Sequence, residues 1–144
     1  MKDAAINRLV LDASVALAWC FPDERSAGAE KLLDLMADGS KAIVPAIWPF
    51  EVSNALLTAE RRNRLKMAQV TAALRTLTLL PIAIDPVKIE SIFGDVLAVA
   101  RQRQLTEYDA AYLELALREA LPLATLNDQL RRAATHAGVS LLAT

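Results

Sequence analysis

Short apolar runs alternating with segments of helical periodicity constrain this chain more than any other feature. Leu9-Val-Leu11, Ala42-Ile-Val44, Pro81-Ile-Ala-Ile84 and Leu123-Ala-Thr125 are too short for helices and read as buried strands. Between them, apolar residues recur at helical spacing over residues 13–19, 26–39, 46–62, 67–79, 86–103, 105–119 and 127–136. Pro49 falls in the first turn of its helix, where a missing N–H costs nothing. Strands that are apolar on both faces must be covered on both. The pattern therefore predicts an α/β protein, a three-layer α/β/α sandwich around a short-stranded parallel sheet. Residues 139–142 are a candidate fifth strand. One domain over residues 1–144 is expected, because this length suits a single core.

Composition removes several chemistries. One Cys (Cys20) permits no intrachain disulfide, so a reducing, cytoplasmic location is expected. No apolar run reaches membrane length, and no secretory leader is visible. With one His (His136), RNA cleavage by paired histidines is impossible, and a Cys/His zinc site would need carboxylates to complete it. No G-x-S-x-G elbow, phosphate-binding P-loop or dinucleotide fingerprint occurs. Carboxylates are what remain abundant: Asp and Glu number 17 against 16 Lys and Arg, for a net charge of −1. Any polyanion must therefore be held by a local basic patch.

The acids fall at informative places. Asp12 directly follows an apolar strand, and a charge there has no propensity reason. Glu51 lies near a helix start, with Asn54 one turn on and facing the same way. Asp109 is in the first turn of another helix, and Asn127 and Asp128 follow the fourth strand. Ligands collect at the carboxyl ends of parallel strands, so these groups would form an acidic pocket if they converge. Two carboxylates at ~5 Å and an effective dielectric of ~20 repel by about 3 kcal/mol. The natural counter-ion is a hard divalent cation, Mg²⁺ or Mn²⁺. Plain structural roles compete. Thr106-x-x-Asp109 fits a capping box, Asn127 and Ser14 fit helix caps, and Glu51 fits a solvated helix face.

Leu9-Val-Leu-Asp12-Ala-Ser14, Pro49-Phe-Glu51-Val-Ser-Asn54, Tyr108-Asp109-Ala-Ala-Tyr-Leu and Leu123-Ala-Thr125-Leu-Asn127 occur in the order seen in PIN domains. Within that family the chain resembles the VapC toxins of bacterial toxin–antitoxin pairs, nearly end to end. The resemblance implies a Mg²⁺- or Mn²⁺-dependent endoribonuclease on a Rossmann-like sheet. It matches Asp12, Glu51 and Asp109 to metal-binding catalytic acids. Ser14 and Thr125 match hydroxyls that hold water or phosphate, with Asn54 supporting Glu51. Where the family commonly has a fourth acid, this chain has Asn127, which is expected to contact metal-bound water. Asp128 is adjacent but rotated by ~100°. A homodimer and a small VapB-like antitoxin are implied as partners, with DNA reached only through the antitoxin.

Water attack on a phosphodiester is expected to give 5′-phosphate and 3′-hydroxyl ends. Arg61 and Arg62, or Arg131 and Arg132, are the candidates for RNA phosphate contacts. Because Asn127 breaks the acid set, a catalytically weak or inactive α/β protein-binding module stands as the alternative.

Overall fold

The computed structural model describes residues 6–142. The first strand, β1 (Arg8–Leu11), is followed by α1 (Ala13–Cys20), a 3₁₀ turn (Pro22–Glu24), α2 (Ala27–Ala37) and β2 (Lys41–Val44). Next come α3 (Trp48–Arg61), α4 (Met67–Leu79) and β3 (Ile82–Ile84). A composite helix joins α5 (Ile89–Ser91) through a π turn (Ile92–Val96) to α6 (Leu97–Arg103). The chain continues through α7 (Glu107–Glu119), β4 (Leu123–Ala124) and α8 (Asp128–His136).

All strand pairs are parallel, in the order β3-β2-β1-β4. β1 occupies the interior, and Leu9, Val10 and Leu11 are wholly buried. α1 packs on α2 and α3, and α3 on α4, while α7 lies against β1, β4, α6 and α8. The result is the expected α/β/α sandwich. Because the chain moves outward from β1 to β3 and then returns to set β4 on the far side of β1, the topology switches between β1 and β4. Such a switch opens a crevice at the carboxyl ends of those strands.

Local chemistry explains the boundaries. Ser26, Thr106 and Asn127 cap α2, α7 and α8 by accepting the amides of Ala29, Asp109 and Leu130. Two expectations are corrected. The helix expected from Pro86 begins at Ile89, since a residue before proline avoids the helical region and Asp85 is anchored. The Asp85 amide bonds to the Val44 carbonyl, and its carboxylate pairs with Arg118 at 2.6 Å. Residues 139–142 supply only an isolated bridge between Leu123 and Leu141, because β4 is too short to extend a ladder.

Candidate active site

Asp12 stands at the junction of β1 and α1, in the crevice, and is 7% exposed. Its Oδ2 accepts two short hydrogen bonds, from Ser14 Oγ at 2.6 Å and from Thr125 Oγ1 at 2.6 Å. Thr125 comes from the end of β4 and is wholly buried. Both hydroxyls also accept main-chain amides: Ser14 Oγ from Leu126 and Thr125 Oγ1 from Asn127. The two hydroxyl protons are thus aimed at Asp12, and the β4–α8 loop is stitched to β1 through them. Ser14 does not cap α1.

Glu51 lies in the first turn of α3, where Pro49 starts the helix. Its Oε1 accepts from the Tyr112 hydroxyl at 2.5 Å. Tyr112 is fully buried on α7, one turn beyond Asp109, and its phenol also faces the Ala13 amide. It therefore bridges the β1–α1 junction to α3. Asn54, expected to support Glu51, is exposed and makes no hydrogen bond to it. Tyr112 fills that role. The sequence signal was present in Tyr108-Asp109-Ala-Ala-Tyr112, but a tyrosine one turn after an acid reads equally well as core.

Asp109 sits in the first turn of α7. The Thr106 cap engages its amide, not its carboxylate. The carboxylate instead accepts from Asn127 Nδ2 through a long contact of 3.4 Å. Asn127 serves twice, since its Oδ1 caps α8. Asp128 is exposed at the start of α8.

The three acids sense one another as charges. Burial, then the charges of Asp12 and Asp109, push the Glu51 carboxyl above its ordinary value against the lowering effect of the Tyr112 hydrogen bond. Burial, then the Asp12 charge, push Asp109 upward too. Burial and the adjacent Glu51 hold the Tyr112 phenol far above its usual range, so it remains a donor. Among the described residues, no three acidic, His or Cys side chains stand close enough together to hold a metal ion. The donor set is nonetheless all oxygen, the kind that suits a hard cation.

Residues 9–135 match the model of the PIN domain family. The chain belongs to the PIN-domain family. It is 32% identical over 123 residues, covering 85% of this chain and 92% of the relative, to Ribonuclease VapC3 of Pyrobaculum aerophilum. The crystal structure of PAE2754 from Pyrobaculum aerophilum is similar with a TM-score of 0.67 at 25% identity, covering 90% of this chain and 80% of that one. That of VapBC2 from Rickettsia felis, bound to a DNA fragment from its promoter, gives 0.65 at 15% identity, over 93% and 96% of the two chains. At that identity the likeness concerns the fold alone.

The basic residues of this PIN domain are placed unequally. Arg61 and Arg62 lie exposed at the far end of α3, roughly 15 Å along the axis from Glu51. Their neighbour Arg64 is engaged by Asp23 and Glu24 and lies 4.0 Å over the Phe21 ring. Arg131, in the first turns of α8, donates to the Thr125 carbonyl at 3.0 Å, beside the acids. Arg132 next to it is exposed. His136 is exposed in the last turn of α8. Trp48 is core, whereas Tyr108 is 63% exposed beside Asp109. No helix among the described residues is long and apolar enough to cross a membrane.

The raised Asp109 carboxyl has a stability consequence. A carboxyl whose folded pKa exceeds its unfolded value of ~3.9 destabilises the fold once ionised, and that cost disappears as pH falls below the unfolded value. Asp109→Asn removes the charge and leaves the Thr106 cap on the main chain. The variant should be more stable than wild type in urea at pH 7, with the difference closing towards pH 4. A residue acting only through the helix dipole predicts the reverse, a loss of about 0.3–1 kcal/mol at pH 7.

Proposed function

We propose that this chain is a metal-dependent endoribonuclease that hydrolyses RNA phosphodiester bonds and acts as the toxin of a type II toxin–antitoxin pair. The observation that carries the reading is that Asp12, Glu51 and Asp109, from three separated segments, lie near enough for charge and burial to raise two of them, with Tyr112 linking Glu51 to the β1–α1 junction. Membership of the PIN family and the likeness to a ribonuclease support it.

The same three acids would hold the cation, Mg²⁺ or Mn²⁺, with their oxygens. When bound, it would lower the pKa of a water and offset charge building on the phosphate. The chain's own residues do the rest. Ser14 and Thr125 fix the Asp12 carboxylate, and Tyr112 fixes Glu51. Asn127 holds Asp109 while capping α8, so the β4–α8 loop is kept in register with the acids. Arg131 and Arg132 are better placed than Arg61 and Arg62 to meet the phosphates nearest the acids.

The partners follow the same reading: an RNA substrate, and a small VapB-like antitoxin through which DNA is reached. A homodimer belongs to the same reading, with Phe50, Ile89, Phe93 and Tyr108 as exposed apolar side chains available to an interface. The site of action is the cytoplasm.

Because Asn127 stands where a fourth acid is common, a non-catalytic binding module is the second reading. End-mapping of RNA after incubation with purified protein, with Mn²⁺ or with chelator, separates the two. Cation-dependent fragments carrying 5′-phosphate and 3′-hydroxyl ends are expected. Ends with 2′,3′-cyclic phosphate would overturn the hydrolytic route, and intact RNA under every cation would favour the binding module.

A further inference from the structure

The three acids share a pattern that their positions alone do not require. Each has one oxygen taken by a donor from this chain and one that no described residue reaches. In Asp12 the taken oxygen is Oδ2, bonded by both Ser14 and Thr125. In Asp109 it is Oδ2, bonded by Asn127, and in Glu51 it is Oε1, bonded by Tyr112 at 2.5 Å. That leaves Asp12 Oδ1, Asp109 Oδ1 and Glu51 Oε2 open.

We propose that Tyr112 is a positioning residue that holds Glu51 Oε1 and leaves Oε2 as its one open oxygen, so that Glu51 meets a divalent cation through a single oxygen and the site discriminates between such cations. This rests on the reading of the three acids as the cation site. A small octahedral ion such as Mg²⁺ or Mn²⁺ accepts single-oxygen carboxylates and keeps its waters. Ca²⁺ takes six to eight oxygens and commonly fills its shell with carboxylates that offer both. Asp12 is held by two hydroxyls and Asp109 by one long amide contact of 3.4 Å, whereas Glu51, with an additional rotatable bond, is the acid whose orientation rests on a single short hydrogen bond. Tyr112 suits the task because its ring is wholly buried, so the hydroxyl is fixed by packing rather than by solvent. Removing the hydroxyl frees Oε1 and lets the carboxylate turn.

The test is calorimetric titration of Mn²⁺ and of Ca²⁺ into the intact wild-type protein, Tyr112→Phe, Glu51→Gln and the double variant, with RNA cleavage followed in parallel. Tyr112→Phe should weaken Mn²⁺ binding by roughly tenfold to a hundredfold, the usual scale for losing a ligand's hydrogen-bond partner. It should also narrow the preference for Mn²⁺ over Ca²⁺. In the Glu51→Gln background the same substitution should change Mn²⁺ affinity little, because its effect passes through Glu51. A folded Tyr112→Phe protein with unchanged affinity and unchanged preference overturns the proposal. So does an equal loss in both Glu51 backgrounds, which marks a packing effect. If Tyr112→Phe does not fold, Glu51→Asp withdraws the carboxylate from the phenol, and full retention of the Mn²⁺ preference there overturns it. Wild type that binds neither ion and leaves RNA intact removes this inference and the ribonuclease reading together. Wild type that cleaves RNA, alongside an unaltered Tyr112→Phe, removes this inference alone.

Discussion

Asp12→Asn is expected to lower RNA cleavage by roughly a thousandfold or more, the scale of losing about 4 kcal/mol of transition-state stabilisation. Asparagine is the informative replacement. Its amide oxygen still accepts from Ser14 and Thr125, so the stitched loop survives while the charge is lost. Asp12→Ala should be equally inactive but also less stable. It removes the carboxylate that accepts from the buried Thr125 hydroxyl, and a hydrogen bond to a charged group is worth about 1.5–3 kcal/mol. His136→Ala should leave cleavage unchanged, because His136 lies exposed at the far end of α8. Initial rates and urea melts on the three variants separate loss of chemistry from loss of fold. An active Asp12→Asn protein beside an inactive His136→Ala protein would contradict the carboxylate site.

The largest stability effect should come from a residue far from that chemistry. Arg118 binds the carboxylates of Asp85 and Glu114, which are 5% and 7% exposed, and so joins the segment after β3 to α7. Removing one partner of a buried ion pair leaves uncompensated charge and costs about 3–5 kcal/mol. The Arg118 side chain is itself 38% exposed, so water screens part of this, and the low end, about 3 kcal/mol, is the better expectation. Arg118→Met should therefore lower Tm by roughly 6–12 °C for a domain of this size. Adding Asp85→Asn and Glu114→Gln to Arg118→Met should recover much of the loss, since no buried charge is then left unpaired. A single variant that melts with wild type would show that water already solvates both carboxylates.

Most of the architecture was legible because it follows from short-range rules. Apolar periodicity and caps set the helices, and α4 spans the residues its spacing predicts, Met67–Leu79. Asp12 stood out because a charge ends an apolar strand, whereas Glu51 and Asp109 each also fit a plain helix role and were singled out with it by the family resemblance. What the sequence concealed depends on distant pairing. Tyr112 meets Glu51 across 61 residues of chain, and nothing near either residue advertises the contact. The resemblance assigned Glu51's support to Asn54, which shares its helix face, yet shared spacing does not fix where two side chains point, and Asn54 is exposed. Residues 139–142 have strand-like composition, but a strand needs a neighbour long enough to pair with, and β4 has two residues.

The bond between Thr125 and Asp12 closes a loop of 113 residues. During synthesis, Asp12 emerges 113 residues before its second hydroxyl donor exists. Contacts of such sequence separation form late, because the entropy of closing the loop must be met before they stabilise anything. The acids therefore gain their working arrangement only after residue 125 has cleared the ribosome and the β4–α8 unit has docked. The proposed ribonuclease site is therefore unassembled until that point in synthesis, and a partner that covers the crevice can reach it before it is complete.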